Sequence, residues 1–138
     1  MRRTLFFGAA LALAFGAGLA TRAVVAQQPA ASPRELIHEP LVGGVYDEMI
    51  MAEATLPPNA NVPWHIHQDA HEIAYVLEGA IKVQLDKGRE RVVKAGEGFH
   101  IDANLVHRGQ AEAGGARVLV VRLKPKDKPV MQMVPHTD

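Results

Sequence analysis

Trp64-His65-Ile66-His67-Gln68-Asp69-Ala70-His71-Glu72-Ile73-Ala74-Tyr75-Val76-Leu77-Glu78-Gly79-Ala80-Ile81-Lys82-Val83-Gln84-Leu85 carries both the fold signal and the chemical signal of this chain. At its end, Ile81 to Leu85 is apolar at every second residue, the period of a half-buried strand. Ile73 to Leu77 is a short apolar run closed by Glu78-Gly79, which reads as a buried strand and a turn. At its start, His65 and His67 are two residues apart in a β-type run. Alternate side chains of a strand share a face, so both imidazoles can reach one point. Glu72 heads the apolar run, where a carboxylate is costly unless something pairs with it. A divalent cation would do so, and so would a salt bridge, for example to Arg108.

The same alternation and punctuation extend outward. Strands are expected near Leu36–His38, Glu48–Leu56, Trp64–His67, Glu72–Leu77, Ala80–Leu85, Glu90–Lys94, Gly98–Ile101, Val106–Gln110, Ala116–Leu123 and Met131–Val134. Breaks fall at Gly43-Gly44, Pro57-Pro58-Asn59, Glu78-Gly79, Asp86-Lys87-Gly88, Ala95-Gly96 and Gly114-Gly115. No segment after residue 26 has a helical stripe. Many short strands without helices mean an all-β sandwich or barrel, and 138 residues suit one domain.

Met1-Arg2-Arg3 is positive, Leu5 to Ala20 is apolar, and Val24-Val25-Ala26 offers small residues before Gln27. That order predicts a signal peptide over residues 1–26 and a periplasmic or secreted protein. The apolar run is short for a membrane span, so none is expected after cleavage. Arg2-Arg3-Thr4-Leu5-Phe6 resembles the twin-arginine export pattern, and a basic Sec signal has the same elements. Residues 27–40 read as a flexible lead-in with a first strand, and 41–138 as the folded domain. Basic and acidic side chains number 15 each, and no basic-aromatic patch is present, so nucleic acid is not an expected partner.

The chain has no cysteine, which excludes thiolate metal sites and disulfides. Any metal must therefore be held by imidazole and carboxylate, donors suited to Fe, Mn, Ni, Zn or Cu. Spacing alone leaves His71, His100 and His107 open as a third histidine.

Two motifs narrow that choice. His65-x-His67-x4-Glu72-x6-Gly79 resembles the first conserved motif of the cupin superfamily, G-x5-H-x-H-x(3,4)-E-x6-G. Gly96-x5-Asp102-x-Asn104-x2-His107 resembles the second, G-x5-P-x-G-x2-H-x3-N. The chain departs from the pattern at Asn59, Asp102, Asn104 and Ala111, where the motifs have Gly, Pro, Gly and Asn. The resemblance implies a single-domain jelly-roll β-barrel with one divalent metal ion on His65, His67, Glu72 and His107. It also implies a small-molecule ligand or substrate and a homodimer, whose edge strand the tail Pro129–Pro135 could supply. That tail could equally pack on its own barrel.

The cupin superfamily hosts many activities, so two functions stand at this point. One is a metal-dependent enzyme of the dioxygenase type, in which Glu72 is a fourth ligand or shuttles a proton. The other is a non-catalytic periplasmic cupin that binds metal or a small molecule. His71 is adjacent to Glu72 and is expected on the opposite face; it is the alternative to Glu72 as a ligand. His100 is expected at the surface or a subunit contact. Trp64, Tyr75 and Phe99 are core, contact or pocket aromatics. His38 and His136 carry no signal.

Overall fold

The computed structural model describes residues 31–135. The expected signal peptide over 1–26, the start of the lead-in and His136 lie outside the described residues. Eight strands follow in order: β1 (Ser32–Pro40), β2 (Glu48–Leu56), β3 (Asn61–Ile66), β4 (His71–Leu85), β5 (Glu90–Lys94), β6 (Gly98–Ile101), β7 (His107–Lys124) and β8 (Gln132–Met133). All pairings are antiparallel. Among the described residues no helix is long and apolar enough to cross a membrane.

The architecture is the expected all-β jelly-roll, with β4 and β7 as its spine. They pair along their length, from His71 opposite Leu123 to Leu85 opposite His107. On its other edge β7 takes β2 and β3, while β4 takes β6 and then β5.

The spine corrects the expected strand ends. Glu78-Gly79 and Gly114-Gly115 are bends inside β4 and β7, not breaks between strands. The β4–β7 register shifts at Val76/Glu78 and Gly79/Ile81, which lets each strand turn from one wall of the barrel to the next. Gly79 (φ 70) and Gly115 (φ 76) meet there, and a Cβ on Gly79 would overlap the Gly115 carbonyl oxygen. Only glycine meets both demands, which explains Gly79 at the end of the first motif.

Alternation sets the core. Ala74, Val76, Ile81 and Val83 of β4 point inward against Ala111, Ala116, Val118 and Val120 of β7, with Leu56, Val93 and Ile101. Met49 and Met51 alternate with buried Ile50 and Ala52, as expected for strand packing. Ile73 and Tyr75, on the outer face of β4, are each 47% exposed. The whole of β1 is exposed. The tail folds back on its own barrel: β8 pairs with β3, with His65 opposite Met133 and Ile66 opposite Gln132.

Candidate metal centre

His65 lies on β3 and His107 opens β7, and the two are direct cross-strand partners. His67 stands one residue beyond the end of β3. All three are buried, and their ligand nitrogens lie within 4.8 Å of one another. Ring centroids are 4.1 Å apart for His65–His107, 5.0 Å for His65–His67 and 5.2 Å for His67–His107.

Each ring is fixed through its Nδ1. His65 donates to the Pro63 carbonyl at 2.7 Å, His67 to Val130 at 2.6 Å and His107 to Leu105 at 2.8 Å. A carbonyl only accepts, so Nδ1 carries the proton and Nε2 is left with its lone pair. This is the orientation in which backbone carbonyls hold metal-ligating imidazoles. Burial pushes the His65 imidazole down to about 4, and the neighbouring His107 works the same way. Burial also lowers His107, against its bond to the Leu105 carbonyl. Neutral rings are what a cation requires.

Glu72, on β4, is buried beside the triad and points inward as expected. Its Oε2 lies 2.9 Å from His67 Nε2 and 2.6 Å from Arg122 Nη2. It stands outside the compact three-nitrogen group. Its ion-pair partner is Arg122, its register neighbour on β7, and not Arg108. Arg108 instead lies over the Trp64 ring, 4.9 Å from its centroid, and donates Nε to Gln84 at 2.8 Å. Burial works to raise the Glu72 carboxyl, and the charge of Arg122 beside it helps hold the group below the usual carboxylate range.

The donor set fits a divalent cation. His67 Nε2, His107 Nε2 and Glu72 Oε2 are buried without a hydrogen bond of acceptable geometry. His67 Nε2 and Glu72 Oε2 are then two acceptors facing each other at 2.9 Å, although they count as an ion pair by distance. A divalent cation held by these donors would resolve the contact between the two acceptors.

Two residues that depart from the motifs keep the backbone conformation that the motif glycines supply. Asn59 (φ 59) and Asn104 (φ 63) are left-handed where the motifs have glycine, a conformation asparagine tolerates. Asn104 also ties the two histidine loops together. Its Oδ1 accepts from the Asp69 amide at 3.1 Å, its Nδ2 donates to Asp69 Oδ1 at 3.0 Å, and its own amide donates to the His67 carbonyl at 3.0 Å.

A cavity of about 360 Å³ opens beside the site. Its wall includes Leu56, Ile81, Phe99, Val118, Met131 and Arg122, and Arg122 is its one charged residue. The histidines do not line it; Arg122 connects it to Glu72. Of the expected aromatics, Phe99 faces the cavity, Trp64 is buried and Tyr75 is on the outer face. Sequence reasoning missed Arg122 and the Val130 carbonyl. Arg122 had a signal, because it shares the inward phase of Val118 and Val120. Val130 had none, since a carbonyl acts through its position alone.

Residues 52–122, just over half of the chain, match the cupin domain family. The chain belongs to the cupin family. No curated protein matches it. Among solved structures, this cupin resembles KdgF from Halomonas sp. at 21% identity and TM-score 0.61, over 72% of this chain and 84% of that one. A cupin-like protein from Thermotoga maritima aligns at 20% identity and TM-score 0.62, over 75% of each chain. A recombinant oxalate oxidase in complex with glycolate aligns at 24% identity and TM-score 0.61, over 80% of this chain and 58% of that one. At these identities the likeness shows the fold.

Proposed function

We propose that this cupin is a metal-dependent enzyme of the dioxygenase type acting on a small, largely apolar molecule with one acidic oxygen. The observation that carries this is the triad of His65, His67 and His107, each proton-anchored to a carbonyl with Nε2 open, beside an apolar cavity. In this reading the three histidines and Glu72 hold one divalent ion, which when bound supplies Lewis acidity and, for iron, manganese or copper, redox chemistry. The cavity excludes water and takes the apolar body of the substrate. Arg122 orients the acidic oxygen toward the site. Glu72 serves as a ligand in preference to a proton shuttle, because the Arg122 guanidinium 2.6 Å away stabilises its ionised form and makes it a poor base near neutral pH.

The reading includes export, carried by the residue order over 1–26. It also includes a homodimer.

One observation favours a second reading, a binding cupin without turnover: Arg122 is the one charged residue of the cavity wall, and it is already paired with Glu72. Oxygen uptake by the iron-loaded protein against phenols, diketones and thiols separates the two. Uptake with one class, lost in His107→Ala, is expected of the enzyme. No uptake with any class, together with tight metal retention, favours the binder.

A further inference from the structure

We propose that His71, His100 and Asp102 form a second divalent-metal site, on the outer face of the barrel. The β4–β6 register sets it up: Glu72 lies opposite Ile101 and Ile73 opposite His100. Glu72 and Ile101 are buried, so the alternate residues His71 and His100 project from the other side of the sheet. Asp102 follows β6 by one residue and continues that phase. Three donors from two neighbouring strands therefore share one external spot, on the far side of β4 from the histidine triad.

The ligand atoms of the three residues lie within 4.8 Å of one another. His71 Nδ1 and His100 Nε2 share a hydrogen bond of 2.8 Å, one ring donating and the other accepting, and a cation would take the place of that proton. Asp102 Oδ1 stands 3.9 Å from His71 Nδ1 and 3.8 Å from His100 Nδ1, so the carboxylate faces both rings without bonding to either. The rings are nearly parallel, with an interplanar angle of 9° and centroids 5.0 Å apart. Tyr46 packs edge-on against His71 at 5.8 Å, which limits the swing of that ring. The Asn104–Asp69 bonds hold the turn that begins at Asp102.

The donor set decides the ion class. Two imidazoles and one carboxylate select zinc, nickel or copper, while calcium and magnesium require more oxygen ligands. The partial exposure of all three residues leaves the remaining positions to water or to a ligand from another molecule.

Equilibrium dialysis of the full chain against micromolar free zinc, followed by metal counting, tests this. The wild type is expected to hold one more equivalent than His100→Gln, and His107→Ala is expected to keep that outer equivalent. Equal zinc in the wild type and a folded His100→Gln overturns the proposal. Should His100→Gln fail to fold, amide resonances of His107→Ala, whose inner site is disabled, are followed while nickel is added. Paramagnetic broadening centred on residues 71–73 and 99–103 is expected, and broadening confined to other residues overturns the proposal.

Discussion

Glu72 sits between the Arg122 guanidinium at 2.6 Å and the open His67 Nε2 at 2.9 Å. Removing the cation partner leaves a buried carboxylate uncompensated, which costs ~3–5 kcal/mol. Arg122→Met should therefore destabilise the metal-free protein by about that amount in urea unfolding, and the metal-loaded protein by clearly less. Equal losses with and without metal would separate Glu72 from the cation. The histidines predict an acid sensitivity of the metal-free fold. His65, at about 4, lies below its unfolded value of ~6.5, so the unfolded chain binds more protons between those limits. The contribution of His65 should fall by ~3 kcal/mol as the pH drops through that window. The His65 share should level off below about pH 4. Glu72, whose carboxyl is held below its unfolded ~4.3, adds a further loss at lower pH as it is protonated. Melts from neutral pH to pH 4 check the histidine window, and His65→Gln should flatten the curve. The meeting of His65, His67 and His107 was legible in the sequence because strand alternation and the two motifs converge on it. The partner of Glu72 was not: several arginines follow it in the chain, and only the β4–β7 register selects Arg122 over Arg108.

Gly79 and Gly115 show why the strands were legible in kind and less so in extent. A glycine between two apolar runs reads as a turn, and in an open sheet it would be one. In a barrel the same residue lets a long strand bend while its ladder continues, and local sequence does not distinguish the two cases. Gly79→Ala should destabilise the protein by ~3 kcal/mol or more, from the left-handed φ together with overlap on the Gly115 carbonyl. Thermal unfolding measures it; a loss under ~1 kcal/mol would mean that the bend relaxes freely. Asn104 makes the complementary point. It departs from the motif glycine yet keeps φ at 63 and adds the bonds to the Asp69 loop, so the departure preserves the approach to His107.

At the scale of the molecule, the tail closes the site from a distance. β8 lies along β3, and the Val130 carbonyl before it accepts the hydrogen bond from His67 Nδ1, 63 positions away in the chain. The sequence left the tail open between a partner's sheet and its own barrel, because edge pairing depends on where the strand arrives and not on its composition. A cation that binds only the folded barrel should raise its stability by ~2.7 kcal/mol at a free concentration one hundred times its Kd. Differential scanning calorimetry with and without metal reads this shift, and His107→Ala should abolish most of it. For the cation itself, crystals of metal-loaded protein measured at the absorption edge of the loaded metal give an unambiguous position. An anomalous peak ~2.1 Å from the Nε2 atoms of His65, His67 and His107 is predicted. An empty map at those nitrogens, with the three rings unchanged and the metal bound elsewhere or washed out, would contradict it.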